Sequence, residues 1–200
     1  RQPSIWLLCI ILSALYHVFW ATIEFPSFAE TGGFEITLAA ATALGAAKLW
    51  MRFPGGILAG IVGDRVGNPL LMVWLFLLSM LACLYLALMP TTPGWAWTLW
   101  VFIFPFALLA YGLRGVFWAL LYNCPVPTRV LGTAIGVVSI VGYSPDAYVP
   151  QVAAWLHTHY DTKTAYQGFF AYVAAVAGIG MLASWLLYRL TRQQGVPEST

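Results

Sequence analysis

Charged residues are scarce in this sequence. Only 8% of its 200 residues are Asp, Glu, Lys or Arg, whereas a soluble domain carries about 25%. Hydrophobic residues make up 61% of the chain, and the mean hydropathy is +0.81. A soluble fold of this length cannot bury so much apolar surface, so we expect an all-α integral membrane protein.

Other absences narrow the range of functions that the protein could have. The net charge is only +2 and no basic stripe is present, so we expect no nucleic-acid partner. Cys9, Cys83 and Cys124 sit in or beside apolar runs without metal-ligand spacing, which indicates reduced packing residues. Nucleophile elbows, carboxylate dyads and Walker phosphate loops are missing, and His157 and His159 are only a weak metal signal. We therefore expect no enzyme, no metal and no cofactor.

Six stretches are apolar enough to cross a bilayer, which takes about 20 residues of helix. They are 5–24, 36–62, 69–89, 95–122, 130–156 and 167–190. The pattern predicts one membrane domain over 1–190 and a polar cytoplasmic tail over 191–200. The chain begins with Arg1 rather than methionine, and its first apolar run is too long for a signal peptide. We therefore expect a piece of a longer protein.

The positive charges indicate the orientation. Five cations fall at one side of the predicted spans, namely Arg1, Arg65, Arg129, Arg189 and Arg192. Only Lys163 falls in a loop on the opposite side. Because cytoplasmic loops are enriched in Lys and Arg, this distribution predicts that both termini lie in the cytoplasm.

An internal repeat emerges when the chain is aligned with itself at a shift of 91 residues. The segment TALG at 42–45 then falls on TAIG at 133–136, and Pro54 falls on Pro145. The copies are offset by three spans along the chain, from the second to the fifth, so they run in opposite directions. This predicts an inverted 3+3 repeat with helix breaks at both prolines. The alternative is a chance match between Ala- and Gly-rich helices.

Lys48 and Arg52 are cations within the second predicted span. Their spacing of four places them on one helix face, and each costs at least about 3 kcal/mol in hydrocarbon. We therefore expect them to face a wet cavity, a counter-charge or an anionic ligand. For Arg52 the alternative is that the side chain extends along the helix to the cytoplasmic interface.

Arg114 shares a helix face with Tyr111 and Trp118. An arginine flanked by aromatic rings can bind a carboxylate or phosphate while the rings stack on the substrate. The alternative is a structural ion pair with a neighbouring helix.

Asp146 shares a helix face with Tyr143. We expect Asp146 either to bind a coupling cation or proton, or to neutralise the cations within the spans.

His17 lies in the first predicted span. It is expected either to contribute to substrate binding and titrate near neutral pH, or to be a hydrogen-bonded packing residue. The three cations within the spans, Lys48, Arg52 and Arg114, are balanced in charge only by Asp146, or by Asp146 and Glu24. This excess predicts an anionic substrate such as a carboxylate, phosphate or sulfonate, unless a missing half supplies further acids.

The turn GIVGDRVG at 60–67 resembles the G-x-x-x-D-R-x-G signature of the major facilitator superfamily. Gly60 and Gly63 allow close helix approach, and Gly67 permits a turn that other residues disfavour. Asp64 can accept hydrogen bonds at a helix N-terminus, and Arg65 can pair with acids or lipid phosphate. Together they would form a gating clasp. The alternative is a solvated pair of charges.

Segments 114–119, 132–134 and 142–146 add to this resemblance and are similar to a poorly characterised bacterial branch of the superfamily. Asn68 and Pro69 stand where the family usually has basic residues. The resemblance implies the C-terminal six-helix half of a twelve-helix secondary transporter in the bacterial inner membrane. Its expected partners are the missing N-terminal half, the lipid bilayer, a small anionic solute and a coupling proton or cation. The competing hypothesis is a self-contained six-helix channel or membrane scaffold.

Overall fold

The structure is a computed structural model, and it describes residues 3–122, 124, 129 and 131–193. Every regular element in this part of the chain is helical. The α-helices are α1 (Pro3–Thr31), α2 (Leu38–Trp50), α3 (Arg52–Val66), α4 (Asn68–Leu88), α5 (Ala96–Tyr122), α6 (Leu131–Tyr143), α7 (Pro145–His159) and α8 (Thr162–Gln193). A 3-10 turn over Pro93–Trp95 precedes α5.

Four of these helices are long and apolar enough to cross a membrane: α1, α4, α5 together with its preceding turn, and α8. Each presents large apolar side chains outward. On α4, for example, Trp74 is 53% exposed and Leu88 is 80% exposed. Such side chains on long apolar helices belong in lipid rather than water. The chain is therefore an all-helical integral membrane protein, as the composition predicts.

The structure differs from the predicted spans in two places. Spans 5–24, 69–89, 95–122 and 167–190 correspond to α1, α4, α5 and α8. The span predicted over 36–62 is divided into α2 and α3, and the span over 130–156 is divided into α6 and α7. Residue 130 and most of the predicted tail, 194–200, lie outside the described residues. Four of the six predicted spans thus correspond to single helices that are long and apolar enough to cross a membrane, whereas six crossings remain a prediction.

Prolines account for both divisions. Pro145 has no amide hydrogen to donate to the Val141 carbonyl. The Ser144 amide and hydroxyl donate to that carbonyl instead, at 3.3 and 2.7 Å. Pro54 lies just after the junction at Met51, whose backbone stays near helical values with φ −71° and ψ −8°. The two divided segments therefore keep helical backbone on both sides of each junction.

Side-chain caps define the start of two helices. The Thr37 hydroxyl accepts the Ala40 amide at 3.3 Å and starts α2. The Asp161 carboxylate accepts the Thr164 amide at 3.1 Å and starts α8. Hydrogen bonds from the Thr164 side chain and amide favour the ionised carboxylate and lower the pKa of Asp161. Each cap satisfies one of the amides that a helix N-terminus leaves without a backbone partner.

Helix packing is organised around five contacts between pairs of helices. The contact between α4 and α8 is the most extensive, α1 packs against α8 and α6, and α5 packs against α3 and α4. Phe28 of α1 packs against α8 and against the loop that follows α1. Its ring centroid lies 5.1 Å from those of both Phe170 on α8 and Phe34 in the loop. Phe28, Phe34 and Phe170 are almost completely buried. These helices position the side chains of the site described below.

Gly180 marks the closest approach of α8 to its neighbours. A Cβ atom at this position would lie 2.6 Å from Phe76 Cε1 and 2.7 Å from Ala14 Cβ. We expect Gly180→Ala to force α8 away from α1 and α4, because Phe76 and Ala14 are both buried. Overpacking of this kind costs about 1–3 kcal/mol, which thermal unfolding of the full-length protein in detergent would measure.

Gly178→Ala is the matched control on the same helix. Its nearest neighbour would be the flexible Met80 side chain, whose Sδ lies at an ordinary contact distance of 3.4 Å. The control should therefore unfold close to the wild-type temperature. Equal losses of stability in the two variants would contradict the packing described for α8.

Candidate functional site

Arg114 of α5 is the centre of the candidate site. Its guanidinium lies 4.4 Å from the ring centroid of Phe19 and 5.3 Å from that of Tyr16, both on α1. The Nη2 atom also donates a weak hydrogen bond of 3.4 Å to the Tyr16 hydroxyl. Cation–π contacts of this kind contribute about 0.5–2 kcal/mol, depending on how dry the site is. They hold the planar group against α1 and leave other N–H donors available.

A small cavity of about 30 Å³ adjoins this guanidinium. We call it the arginine pocket, and its lining consists of Leu12, Leu15, Tyr16, Arg114, Phe117, Trp118 and Tyr143. The Tyr143 ring meets the Tyr16 ring edge-on at 4.8 Å, which brings α6 to the same place. The volume suits one water molecule or one polar group of a ligand. The structure thus brings together three of the predicted site residues, Arg114, Trp118 and Tyr143, and adds Tyr16.

No carboxylate neutralises Arg114 within the described part of the chain. None of the Asp and Glu side chains there comes within 4.0 Å of its guanidinium. The structural ion pair considered as an alternative is therefore absent between described residues. A guanidinium that lies in a candidate membrane-spanning helix and lines a small cavity is able to bind a carboxylate or phosphate oxygen.

Arg52 and Tyr111 lie beside the pocket rather than in its lining. Tyr111 is buried on α5 and lies within electrostatic range of both Arg52 and Arg114. The Arg52 side chain is exposed at the first residue of α3. A Cβ at Gly55 would lie 3.1 Å from Tyr111 Cβ, so α3 and α5 approach closely here. The two helices thus bring a second cation towards the same region.

Lys48 has a different environment from both arginines. It is only 8% exposed, and its Nζ donates a hydrogen bond to the Thr22 carbonyl of α1. That carbonyl lacks its helical donor because Pro26, four residues later, has no amide hydrogen. Gly45 allows the close approach, since a Cβ there would lie 3.1 Å from Pro26 Cγ. Lys48 therefore completes the backbone hydrogen bonding of α1.

Glu24 is an acid that interacts electrostatically with Lys48. It is partly buried on α1 and lies within electrostatic range of Lys48 and His157. No carboxylate of the described residues comes within 4.0 Å of the Lys48 ammonium group. The spacing of Lys48 and Arg52 predicts a shared helix face, but the side chains have separate environments, one buried against α1 and the other exposed.

Asp146 lies in the first turn of α7 and contacts α1. Its Oδ1 accepts the indole N–H of Trp20 at 2.8 Å. The carboxylate is exposed and lies more than 4.0 Å from the cations of the described residues. It is within electrostatic range of Tyr16, which connects it to the arginine pocket. A cation-coupling or proton-coupling role for Asp146 stays a prediction.

His17 is buried in α1 between two tyrosines. Its Nδ1 lies 2.7 Å from the Ser13 carbonyl oxygen, which can only accept, so Nδ1 carries the proton. Its Nε2 lies 2.7 Å from the Tyr172 hydroxyl and 3.2 Å from the Tyr148 hydroxyl. In the neutral ring, Nε2 accepts from one of these hydroxyls. These contacts join α1 to α7 and α8, which favours a packing role, and substrate binding by His17 stays a prediction.

The glycine turn closes α3. Gly67 has a φ of 86°, a region that favours glycine. A Cβ at Gly63 would collide with the Asn68 side chain, whereas a Cβ at Gly60 would meet nothing within 4 Å. The side chains of Asp64 and Arg65 are exposed. A gating role for this turn stays a prediction.

No group of three His, Cys, Asp or Glu residues suited to a metal ion occurs among the described residues.

Sequence reasoning left Tyr148, Tyr172 and Pro26 out of the site. Pro26 carries a readable signal, because a proline inside a helix always frees the carbonyl four residues earlier. The two tyrosines carry none, because their contact with His17 spans 131 and 155 residues of chain. Only the folded arrangement of α1, α7 and α8 brings them together.

Comparison with known proteins gives one short similarity. No established protein-family profile matches the chain. A curated relative is the inner membrane protein YqcE of Escherichia coli (strain K12), which is 29% identical over 83 residues. The match covers 41% of this chain and 19% of the relative. The similarity agrees with an integral membrane protein, and the chain matches only about a fifth of the relative's length.

Replacing Lys48 by methionine should destabilise the protein, because the Thr22 carbonyl would remain buried without a donor. An unsatisfied buried polar group costs about 1–3 kcal/mol. In a Pro26→Ala background, residue 26 regains an amide that can donate to Thr22. Lys48→Met should therefore cost at least about 1 kcal/mol less in that background. Thermal unfolding of the full-length protein in detergent would measure both costs.

Lys163→Met is the control for this cycle, because Lys163 is exposed at the first turn of α8. It should change stability little in either background. If Lys48→Met costs the same with and without Pro26, the freed carbonyl is not the reason that Lys48 is buried.

Proposed function

We propose that this chain is one half of a secondary active transporter that moves a small anionic organic solute by alternating access. The observation that carries the proposal is Arg114, a cation in a membrane-spanning helix without a carboxylate within 4.0 Å among the described residues. A charge in a span is costly, so it marks a wet pathway or a bound counter-ion. The arginine pocket beside it is the candidate position for that counter-ion.

The chemistry of the pocket favours an organic anion. Arg114 supplies paired N–H donors that match the geometry of a carboxylate, phosphate or sulfonate. Tyr16 and Tyr143 add hydroxyl groups, and Trp118 adds a ring that is 40% exposed. Aromatic faces of this kind can pack on the carbon skeleton of a solute. The pocket is small, so the rest of the solute would extend towards the other half of the transporter.

The packing of the helices supports the inverted repeat. A shift of 91 residues superposes α1 on α5, the pair α2–α3 on α6–α7, and α4 on α8. The contact of α1 with the pair α6–α7 then corresponds to that of α5 with the pair α2–α3, and the contact of α1 with α8 corresponds to that of α5 with α4. The extensive contact of α4 with α8 corresponds to itself. Contacts that correspond to one another in this way are expected of two inverted three-helix units, the arrangement found in each half of a major facilitator transporter.

In this proposal the other parts of the site have distinct tasks. Asp146, one tyrosine away from Arg114, binds the coupling proton or cation. The turn from Gly60 to Gly67 is a clasp at the cytoplasmic side, and both termini lie in the cytoplasm. The membrane is the bacterial inner membrane, which the name of the similar Escherichia coli protein supports. A missing N-terminal half completes the central cavity.

Arg114→Ala should abolish uptake, because the anion would lose its charged partner. The assay is counterflow in proteoliposomes that contain the full-length parent, with a panel of labelled carboxylates, phosphate esters and sulfonates. Losing a charge-assisted pair of hydrogen bonds costs about 1.5–3 kcal/mol, or roughly 10- to 150-fold in apparent affinity. Arg114→Lys keeps the charge but not the fork geometry, so we expect a smaller loss.

Lys163→Ala is the matched control, since it removes a cation at an exposed position away from the pocket. In the same vesicles, Asp146→Asn should stop uphill uptake and spare exchange. Anion uptake that Arg114→Ala leaves unchanged would refute the assigned site. Ion conductance without counterflow would favour the self-contained channel.

A further inference from the structure

Two adjoining grooves lie where the end of α8 meets the start of α1. An apolar groove of about 520 Å³ runs between the two helices, lined chiefly by Pro3, Trp6, Leu7, Leu186 and Leu190. It adjoins a polar groove of about 490 Å³ that is lined by Trp185, Tyr188 and Arg192. Arg189 and Gln193 line both grooves. The two grooves therefore form one surface with an apolar end and a cationic end, which we call the α1–α8 groove.

The two arginines of this surface are held in place by aromatic rings. The Arg189 guanidinium stacks at 3.9 Å from the Trp185 ring. The Arg192 guanidinium lies 5.7 Å from the Tyr188 ring and donates to its hydroxyl at 3.2 Å. Stacking covers the face of a guanidinium and leaves N–H donors free at its edge. Neither group has a carboxylate within 4.0 Å among the described residues.

The position along α8 places this surface at the edge of the membrane. The helix has 32 residues, which corresponds to a length of about 48 Å, whereas the hydrocarbon core of a bilayer is about 30 Å thick. Apolar residues continue as far as Leu190, and Arg189 and Arg192 lie at the polar end. Trp6 lines the apolar groove and Trp185 the polar groove, and tryptophans are enriched at the interface between membrane and water.

We propose that the α1–α8 groove binds one anionic phospholipid. Arg189 and Arg192 hold the headgroup phosphate through the free edges of their guanidinium groups, and an acyl chain lies in the apolar groove along Trp6 and Leu186. Charge complementarity selects the anionic headgroup, and the apolar lining selects a lipid over a soluble phosphate. This surface is separate from the arginine pocket, since the two share no lining residue.

Native mass spectrometry of the full-length protein tests the proposal directly. Phosphatidylglycerol and phosphatidylcholine with identical acyl chains are added to the detergent-purified protein, and bound lipid is counted. The wild type should retain one phosphatidylglycerol at least about tenfold more tightly than phosphatidylcholine, as two charge-assisted contacts predict. The double variant Arg189→Ala/Arg192→Ala should lose this preference, and Lys163→Ala should keep it.

A second variant and a soluble competitor keep the test decisive. If the alanine pair does not fold, Arg189→Lys/Arg192→Lys retains the charge and removes the stacked fork, so we expect about threefold weaker phosphatidylglycerol binding. Full binding by the lysine pair would overturn the stacked-arginine site. Equal retention of both lipids by the wild type would overturn the anionic headgroup. Displacement by glycerol phosphate at lipid concentrations would show a free phosphate site instead of a lipid site.

Discussion

The fold depends on one constraint, that a polar group surrounded by lipid and protein must find its partner within the protein. The contact of Lys48 with the Thr22 carbonyl meets this constraint most visibly. Pro26 removes the backbone donor of α1, and a cation from α2 replaces it. At the opposite divided segment, the Ser144 hydroxyl does the same for the carbonyl that Pro145 frees. Broken helices persist here because side chains restore the missing hydrogen bonds.

Arg114 is different from Lys48, and the difference is the basis of the functional proposal. Lys48 is buried and donates a hydrogen bond to a carbonyl oxygen, so a contact within the fold accounts for its position. Arg114 is held by the rings of Tyr16 and Phe19, and those rings leave part of its hydrogen-bonding capacity unused. We therefore propose that Arg114, which lines a small pocket, receives an anion there. The same reasoning supports the proposal that Arg189 and Arg192, at the edge of the membrane, bind a lipid headgroup.

Hydropathy predicted much of the fold, because four helices need only an apolar run of sufficient length. The divisions of the other two predicted spans occur next to the prolines that the repeat pairs, Pro54 and Pro145. The partner of Lys48 was also within reach of sequence reasoning, since Pro26 frees the Thr22 carbonyl by simple helical spacing. The hydrogen bond of Trp20 to Asp146 was not, because it joins residues 126 positions apart. Such pairs depend on helix packing, which spacing along one helix does not encode.

The central claim is that the arginine pocket is an aqueous site of positive potential. It is tested most directly by placing a single cysteine at residue 118 in the otherwise cysteine-free full-length protein, because Trp118 lines the pocket. The measurement is the rate of reaction with two methanethiosulfonates of similar size, one bearing a sulfonate and the other a trimethylammonium group, each rate being taken relative to that of the same reagent with a simple thiol in solution. The account predicts that the anionic reagent reacts about tenfold faster, because a cationic cleft concentrates anions. Equal rates, or faster reaction of the cationic reagent, would contradict it.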